Sequence, residues 1–402
     1  MDAMEILTNL DQVQPFYQPI FSADEHRVIG YEILGRFLHE SQYISLGPFF
    51  KDSTIPEEFR IEVDNYLLEK ALSQFADHGE TDYMIFINRD PDLLVLNDGD
   101  ILLDILKKYL GPEDLHRIVL ELSDTDSPEI MEQLQHLLAY YRTYGIKIAV
   151  DHLGEESHLD RIAQISPNIL KVNLEQLRRT GTDSHQVVLF SLGMLARKIG
   201  ASLLFESIEQ NYQLRFAWKN GGRYYQGFYL AKPAAGLIDR NHLRDKLKTE
   251  GRSFISYEKN RLEAVYQKTV KMNEGMQMLL QKYKKLDTFE KLLLALGESL
   301  SKVCFRLYIC DEEGFQRSPN VWQNNGVWEV KHEYMEKNWS WRPYFLENII
   351  RMRYEQRGIL SDLYSDIETG ETIRTFSYPL ENNCYLFIDL SYSYLYESDS
   401  LL

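Results

Sequence analysis

Six polar residues in the first part of the chain could do chemistry together: Glu32 in GYEIL, Asn88 in MIFIN, Glu121 in IVLEL, Asp151 in KIAVD, Lys171 in ILKVN and Glu206 in LLFES. Each comes at the end of a short apolar run. Glu32, Glu121, Asp151 and Asn88 offer only oxygen donors, a set that suits Mg2+, Mn2+ or Ca2+ better than zinc, which prefers His and Cys. A buried acid cluster with no cation would repel itself. A lysine beside such a site can neutralise charge developing on a phosphoryl oxygen, and a glutamate can accept a proton from an attacking water. These types point to a divalent metal held against a phosphodiester. Singly, each has a plainer explanation, because acids cap helices and lysines form barrel ion pairs.

The question is which fold could bring them together. Between residues 15 and 240, runs rich in β-branched and aromatic residues (28–34, 84–88, 118–122, 146–151, 169–173 and 203–206) alternate with segments of helical period such as 127–144 and 184–199. Near-continuously apolar strands between helices indicate a mainly parallel sheet buried on both faces, either a (β/α) barrel or a doubly wound sheet. The six polar residues are separated by 56, 33, 30, 20 and 35 positions. Strand ends so spaced converge on one point when the strands form a ring, so the pattern predicts a TIM-like (β/α) barrel with its site at the C-terminal mouth.

At 402 residues the chain is too long for one ordinary core. A net charge of −17 argues against broad electrostatic binding to nucleic acid or an anionic membrane, so an anionic ligand must be gripped locally. The N-terminus lacks a signal-peptide pattern, and no run approaches the roughly 20 apolar residues of a membrane span. A soluble cytoplasmic protein is expected. Cys304, Cys310 and Cys384 lack metal-type spacing and are expected as buried thiols in a reducing compartment.

After Pro233 the strand–helix rhythm stops. Leu262, Val265, Thr269, Met272, Met276, Leu279, Tyr283 and Leu286 then repeat at spacings of three and four. The seam fits either a helix lying on its own domain or a connector pairing with its twin. From about residue 289, helix and short strands with turns suggest a small α+β domain weakly similar to PAS or Cache sensor modules. There, Arg342 with Trp341 and Tyr344 could receive a small carboxylate. The expected division is 1–245 barrel, 246–288 helical connector and 289–402 sensor domain.

Seven motifs carry a resemblance: YQPIF from Tyr17, YEILGR from Tyr31, ELSD from Glu121, DHLG from Asp151, KVN from Lys171, ESIE from Glu206 and QGFYLAKP from Gln226. In this order, over residues 10–240, they resemble the EAL family of metal-dependent phosphodiesterases that cut cyclic di-GMP to linear pGpG. The resemblance implies that Glu32, Asn88, Glu121 and Asp151 bind metal and that Glu206 reaches the metal and orients or deprotonates water. Lys171 would assist and Gln226 would help place them. Arg36 with Leu34 would hold the nucleotide, and Gln18 would line the same pocket. Mg2+ or Mn2+ is the implied working ion, with Ca2+ binding without supporting catalysis. Dimers are typical of the family. No diguanylate cyclase segment is present.

Departures from the pattern matter equally. The family's second metal-binding Asp is here His152, a poorer partner for Mg2+. The following FGTGYSSL loop becomes Leu153 to Leu159, one residue shorter. The Glu that braces this loop is Asp124, and the Asp after the lysine is Asn173, on the ligand side. If two metals activate water and stabilise the leaving oxygen, losing one slows chemistry more than binding. The expectation is a protein that binds cyclic di-GMP with slow or absent hydrolysis, the alternative being a fully active phosphodiesterase regulated by the tail.

Overall fold

The computed structural model describes residues 3–77, 82–96, 99–123, 128–153, 158–175, 182–343, 345–398 and 401, with the side chains of 128, 152 and 182–186 outside the description. The chain forms two compact units, Met1–Arg252 and Ser253–Leu402.

In the first unit, the apolar runs become the parallel strands β2 (Val28–His39), β4 (Met84–Arg89), β5 (Ile118–Leu122), β6 (Lys147–Leu153), β7 (Ile169–Asn173) and β8 (Ser202–Glu206). β9 (Gly222–Tyr225) continues the parallel order beside β8. β1 (Val13–Ser22) runs antiparallel to both β2 and β9 and closes the ring of eight strands. Sequence reading did not pick out β1 or β9 as apolar runs. β1 carries Pro15 and Pro19 among alternating polar residues, and β9 is only GRYY.

β2 also continues past the expected end at Leu34. Its last residues pair with β3 (Gln42–Ser45), Arg36 opposite Ser45 and Phe37 opposite Ile44, so a two-stranded ribbon rises from the ring at the mouth. Close packing sets its lower part: a Cβ on Gly30 would stand 2.4 Å from the Met84 carbonyl oxygen.

The barrel is plugged by Ile20, Ile29, Phe86, Val119, Ala149, Ile169 and Leu204. Side chains on a strand return to the same face every second residue. Two positions further on, the plug therefore gives way to a polar tier: Phe86 to Asn88, Val119 to Glu121, Ala149 to Asp151, Ile169 to Lys171 and Leu204 to Glu206. On antiparallel β1 the step runs backwards, from Ile20 to Gln18, and Gln18 pairs with Glu32 on β2. The apolar layer thus fixes the height of the polar one, and truncating Phe86 in it would cost about 3–5 kcal/mol.

The second unit is an antiparallel sheet built around β10 (Cys304–Asp311), β11 (Thr372–Pro379) and β12 (Cys384–Leu390). One face packs Leu307, Phe376, Leu386 and Ile388 against Leu293 and Leu296 of the helix Phe289–Ser299. The other face places Tyr308, Tyr385 and Phe387 with Phe345, Ile349 and Met352 of the helix Phe345–Glu355. All three cysteines are buried and unbridged in this unit. The seam residues of the helix Arg244–Tyr283 have a local use: Met276 is in the first-named core, with Val265, Met272, Leu279 and Tyr283 against it. Leu262 and Leu286 stay exposed. The periodicity is thus largely spent on packing within the chain's own second unit.

Candidate metal and ligand site at the barrel mouth

The polar tier is a single network. Lys171, fully enclosed, lies 2.8 Å from Glu121 Oε1, 3.3 Å from Glu32 Oε2, 3.4 Å from Asp151 Oδ1 and 3.6 Å from Glu206 Oε2. Asn88 Nδ2 donates to Glu32 Oε1 at 2.8 Å, Gln226 Nε2 to Glu32 Oε2 at 2.6 Å, and Asn173 Nδ2 to Glu206 Oε1 at 2.8 Å. All six strand-end residues, together with Asn173 and Gln226, therefore meet.

Backbone geometry holds two of them. Gly227, at φ +151, brings the chain so close to Ile208 that an added Cβ would lie 2.2 Å from its carbonyl oxygen. Gln226 N also bonds the Phe205 carbonyl and Ile208 N the Gln226 carbonyl. Ser207, a non-glycine residue at φ 59, turns the chain directly after Glu206.

Four carboxylates face one ammonium. Burial raises the Glu121 pKa well above its ordinary value, the Glu32 charge adds to this, and Lys171 only partly opposes it. Burial alone would lower the Lys171 pKa, but the charges of Asp151, Glu121, Glu32 and Glu206 outweigh it and hold the group protonated. No group of three acidic or imidazole side chains among the described residues is set as a ready cation cage, because the acids close on Lys171. The donors nonetheless fit a hard cation. Glu121 Oε2 and Gln226 Oε1 are buried without a hydrogen-bond donor, while Glu121 Oε1 meets the Lys171 ammonium at 2.8 Å.

Above the tier opens a cavity of about 790 Å3, lined by Gln18, Glu32, Leu34, Arg36, Asn88, Glu121, Asp151, Asn173, Glu206 and Gln226. Lys171 is not in its wall. Its ammonium lies among the four carboxylates. Arg36, carried by the rising end of β2, lies over the Phe16 ring at 5.6 Å. Burial lowers its pKa, and Glu32 partly restores it. Asp124 and residues 154–157 lie outside the described residues, as does the His152 side chain.

A model of the EAL domain matches residues 2–233, and a model of an EAL-domain associated signalling protein domain matches residues 237–402. The chain belongs to the EAL family. It is 51% identical over 407 residues to the uncharacterized EAL-domain containing protein YkuI of Bacillus subtilis (strain 168), covering 100% of both chains. It also matches, at a TM-score of 0.96 and 100% coverage of both chains, the crystal structure of Bacillus subtilis YkuI in complex with substrate c-di-GMP and calcium. The probable cyclic di-GMP phosphodiesterase PdeN of Escherichia coli (strain K12) is 25% identical over 237 residues, covering 57% of this chain and 45% of PdeN.

In this EAL barrel two further arginines line the cavity that sequence reading did not single out. Arg89 pairs with Asp64, and Arg60 lies 3.6 Å from Asp90; Arg89 Nη2 and Arg60 Nε are buried without hydrogen-bond partners. The only sequence signal was that Arg89 follows Asn88, and strand alternation turns it away from the Asn88 face. Of the residues suggested in the second unit, Trp341 is 62% exposed and Tyr344 lies outside the described residues.

Proposed function

We propose that the chain binds cyclic di-GMP at the barrel mouth with a divalent metal and hydrolyses it to pGpG slowly or not at all. The observation that carries this proposal is the convergence of Glu32, Asn88, Glu121, Asp151 and Glu206 under a cavity that also presents Arg36. The calcium and c-di-GMP complex of the 51% identical relative supports it.

Glu32, Asn88, Glu121, Asp151 and Glu206 would hold the metal, Mg2+ or Mn2+ as the working ion, with Ca2+ binding without supporting catalysis. When bound, a divalent cation supplies Lewis-acid polarisation of a phosphoryl oxygen and a lowered pKa for water. The chain's residues do the rest. Arg36 grips phosphate or a guanine edge with a planar guanidinium, beside Leu34 and Gln18. Glu206, oriented by Asn173, accepts the proton of an attacking water. Gln226 and Asn88 fix the Glu32 carboxylate. Lys171 acts indirectly, offsetting part of the acids' mutual repulsion and holding them in place. His152, where the family places a second acid, weakens a second metal and with it the stabilisation of the leaving oxygen.

In the same proposal, 1–245 binds the messenger, 289–402 is a sensor or output domain for a small ligand or a protein partner, and 246–288 links them. The working form is a cytoplasmic homodimer without nucleic-acid or membrane partners. No described helix is long and apolar enough to cross a membrane.

A second reading, a fully active phosphodiesterase regulated by the tail, is favoured by Glu121 Oε2 and Gln226 Oε1, buried oxygens that take no hydrogen bond and suit a hard cation. One experiment separates the two. Purified protein is incubated with cyclic di-GMP and, separately, Mg2+, Mn2+ and Ca2+, while pGpG is followed by chromatography and binding by calorimetry. Metal-dependent binding with the dinucleotide left intact supports the receptor. Turnover that vanishes in Glu32→Ala supports the enzyme.

A further inference from the structure

Two guanidinium groups in the second unit are treated oppositely. Arg306 gives Nε to Asp389 at 2.5 Å, Nη2 to Asp366 at 2.6 Å and Nη1 to Glu368 at 2.8 Å. One charge is matched by three carboxylates. Arg342 is left without an ion pair among the described residues. Its Nη1 makes only a 3.4 Å contact to the Tyr308 hydroxyl, its guanidinium carbon lies 4.3 Å from the centre of the Trp339 ring, and its Nε is buried with no hydrogen-bond partner.

The Tyr308 hydroxyl is in a similar position. It accepts from Arg342 but donates to no acceptor among the described residues, and it is 5% exposed. Burial, followed by the Asp389 charge, pushes its pKa up, so the phenol keeps its proton. The neighbouring Tyr364 differs: Thr375 gives its own hydrogen to Asp389, so the 2.6 Å bond between Tyr364 and Thr375 carries the Tyr364 proton. Two donors close together, the buried Nε of charged Arg342 and the neutral Tyr308 hydroxyl, thus have no acceptor among the described residues. Enclosed donors in this state cost free energy that an anion would recover.

We propose that Arg342 and Tyr308 form a binding site for a small monocarboxylate with an apolar body. The guanidinium and the phenol grip the carboxylate. Trp339, Phe387 and Phe345 supply the apolar surroundings, with Tyr308 stacked on Phe387 at 5.2 Å and Phe345 on Phe387 at 5.7 Å. The single charge follows from the neighbours, since the Arg306 cluster holds two more carboxylates than cations and its Asp389 is close enough to act on Tyr308. A phosphate dianion would meet that excess directly. The site is independent of the barrel chemistry.

The test uses the full-length protein with sodium propionate, pyruvate, benzoate and phosphate at matched ionic strength, followed by calorimetry. Saturable binding of at least one monocarboxylate is expected, weakened about tenfold or more in Arg342→Gln and in Tyr308→Phe and unchanged in Arg317→Gln. Arg317 is the control because it is already paired with Asp311 and Glu336 on the surface. If Arg342→Gln fails to fold, Tyr308→Phe, which keeps the ring and removes the donor, decides the matter alone. Failure of all three monocarboxylates to saturate by about 10 mM, binding that survives the substitutions, or tighter binding of phosphate would each overturn the proposal.

Discussion

The Lys171 ammonium lies 2.8 Å from a Glu121 carboxylate oxygen, and both side chains are wholly enclosed by the barrel. The ammonium offsets part of the burial that pushes the Glu121 pKa up, and removing it would leave the enclosed acid without a counter-charge.

Lys171→Met would leave four acids facing one another. In metal-free buffer the variant should lose about 3–5 kcal/mol of stability, and Mn2+ or Ca2+ should restore part of it. Thermal melts with and without each ion check this. A variant that melts like the parent in both conditions would show that the acids do not depend on Lys171.

Arg36 reaches the cavity from the rising end of β2 and shares no hydrogen bond with the acid tier. Arg36→Ala should therefore weaken cyclic di-GMP binding by roughly 10- to 100-fold, the worth of a charged hydrogen bond, while leaving calcium binding alone nearly unchanged. Calorimetry with each component in turn makes the distinction. Equal loss of both would place Arg36 in the metal site.

His152→Asp, combined with FGTGYSSL in place of residues 153–159, restores a second acid and the family's loop length. Turnover to pGpG with Mg2+ or Mn2+ should rise about tenfold or more, with binding affected less. Chromatographic rates that do not move would show that His152 and the loop do not limit the chemistry.

Asp366 gives the second unit an acid sensitivity. Its burial would raise its pKa, but the hydrogen bonds and charge of Arg306 prevail and hold it below the ordinary value. A carboxyl depressed by folding contributes stability above its unfolded pKa of about 3.9, and the contribution disappears as pH falls through the folded value. Asp366→Asn should be less stable than the parent near neutrality and less affected by acidification below about pH 4. Urea midpoints across that range test it; parallel curves would assign the acid loss elsewhere.

The barrel was legible because its parallel strands are buried on both faces and read as apolar runs. The site was legible because each run ends in a residue that is costly to bury without purpose. Other features depended on tertiary context. β1 reads as an alternating, proline-bearing segment, and only its pairing with both β2 and β9 reveals a barrel strand. The length of β2 depends on a ribbon partner, β3, that has almost no apolar signal. A lysine at a strand end looks like a ligand contact, and only the structure reveals that it is enclosed among the acids and absent from the cavity wall. The helical seam gave its period but not its partner, which proved to include the chain's own Met276 core. In the tail, Arg342 was visible, but Trp339, two positions before the suggested Trp341, is the ring it covers.

The three cysteines, all within Ser253–Leu402, have a practical consequence. Burial raises each thiol pKa, suppressing the thiolate that reacts with alkylating and disulfide reagents. The barrel unit contains no cysteine at all. Labelling kinetics of the unmodified protein therefore time the opening of one unit while remaining blind to the other, without any engineered probe.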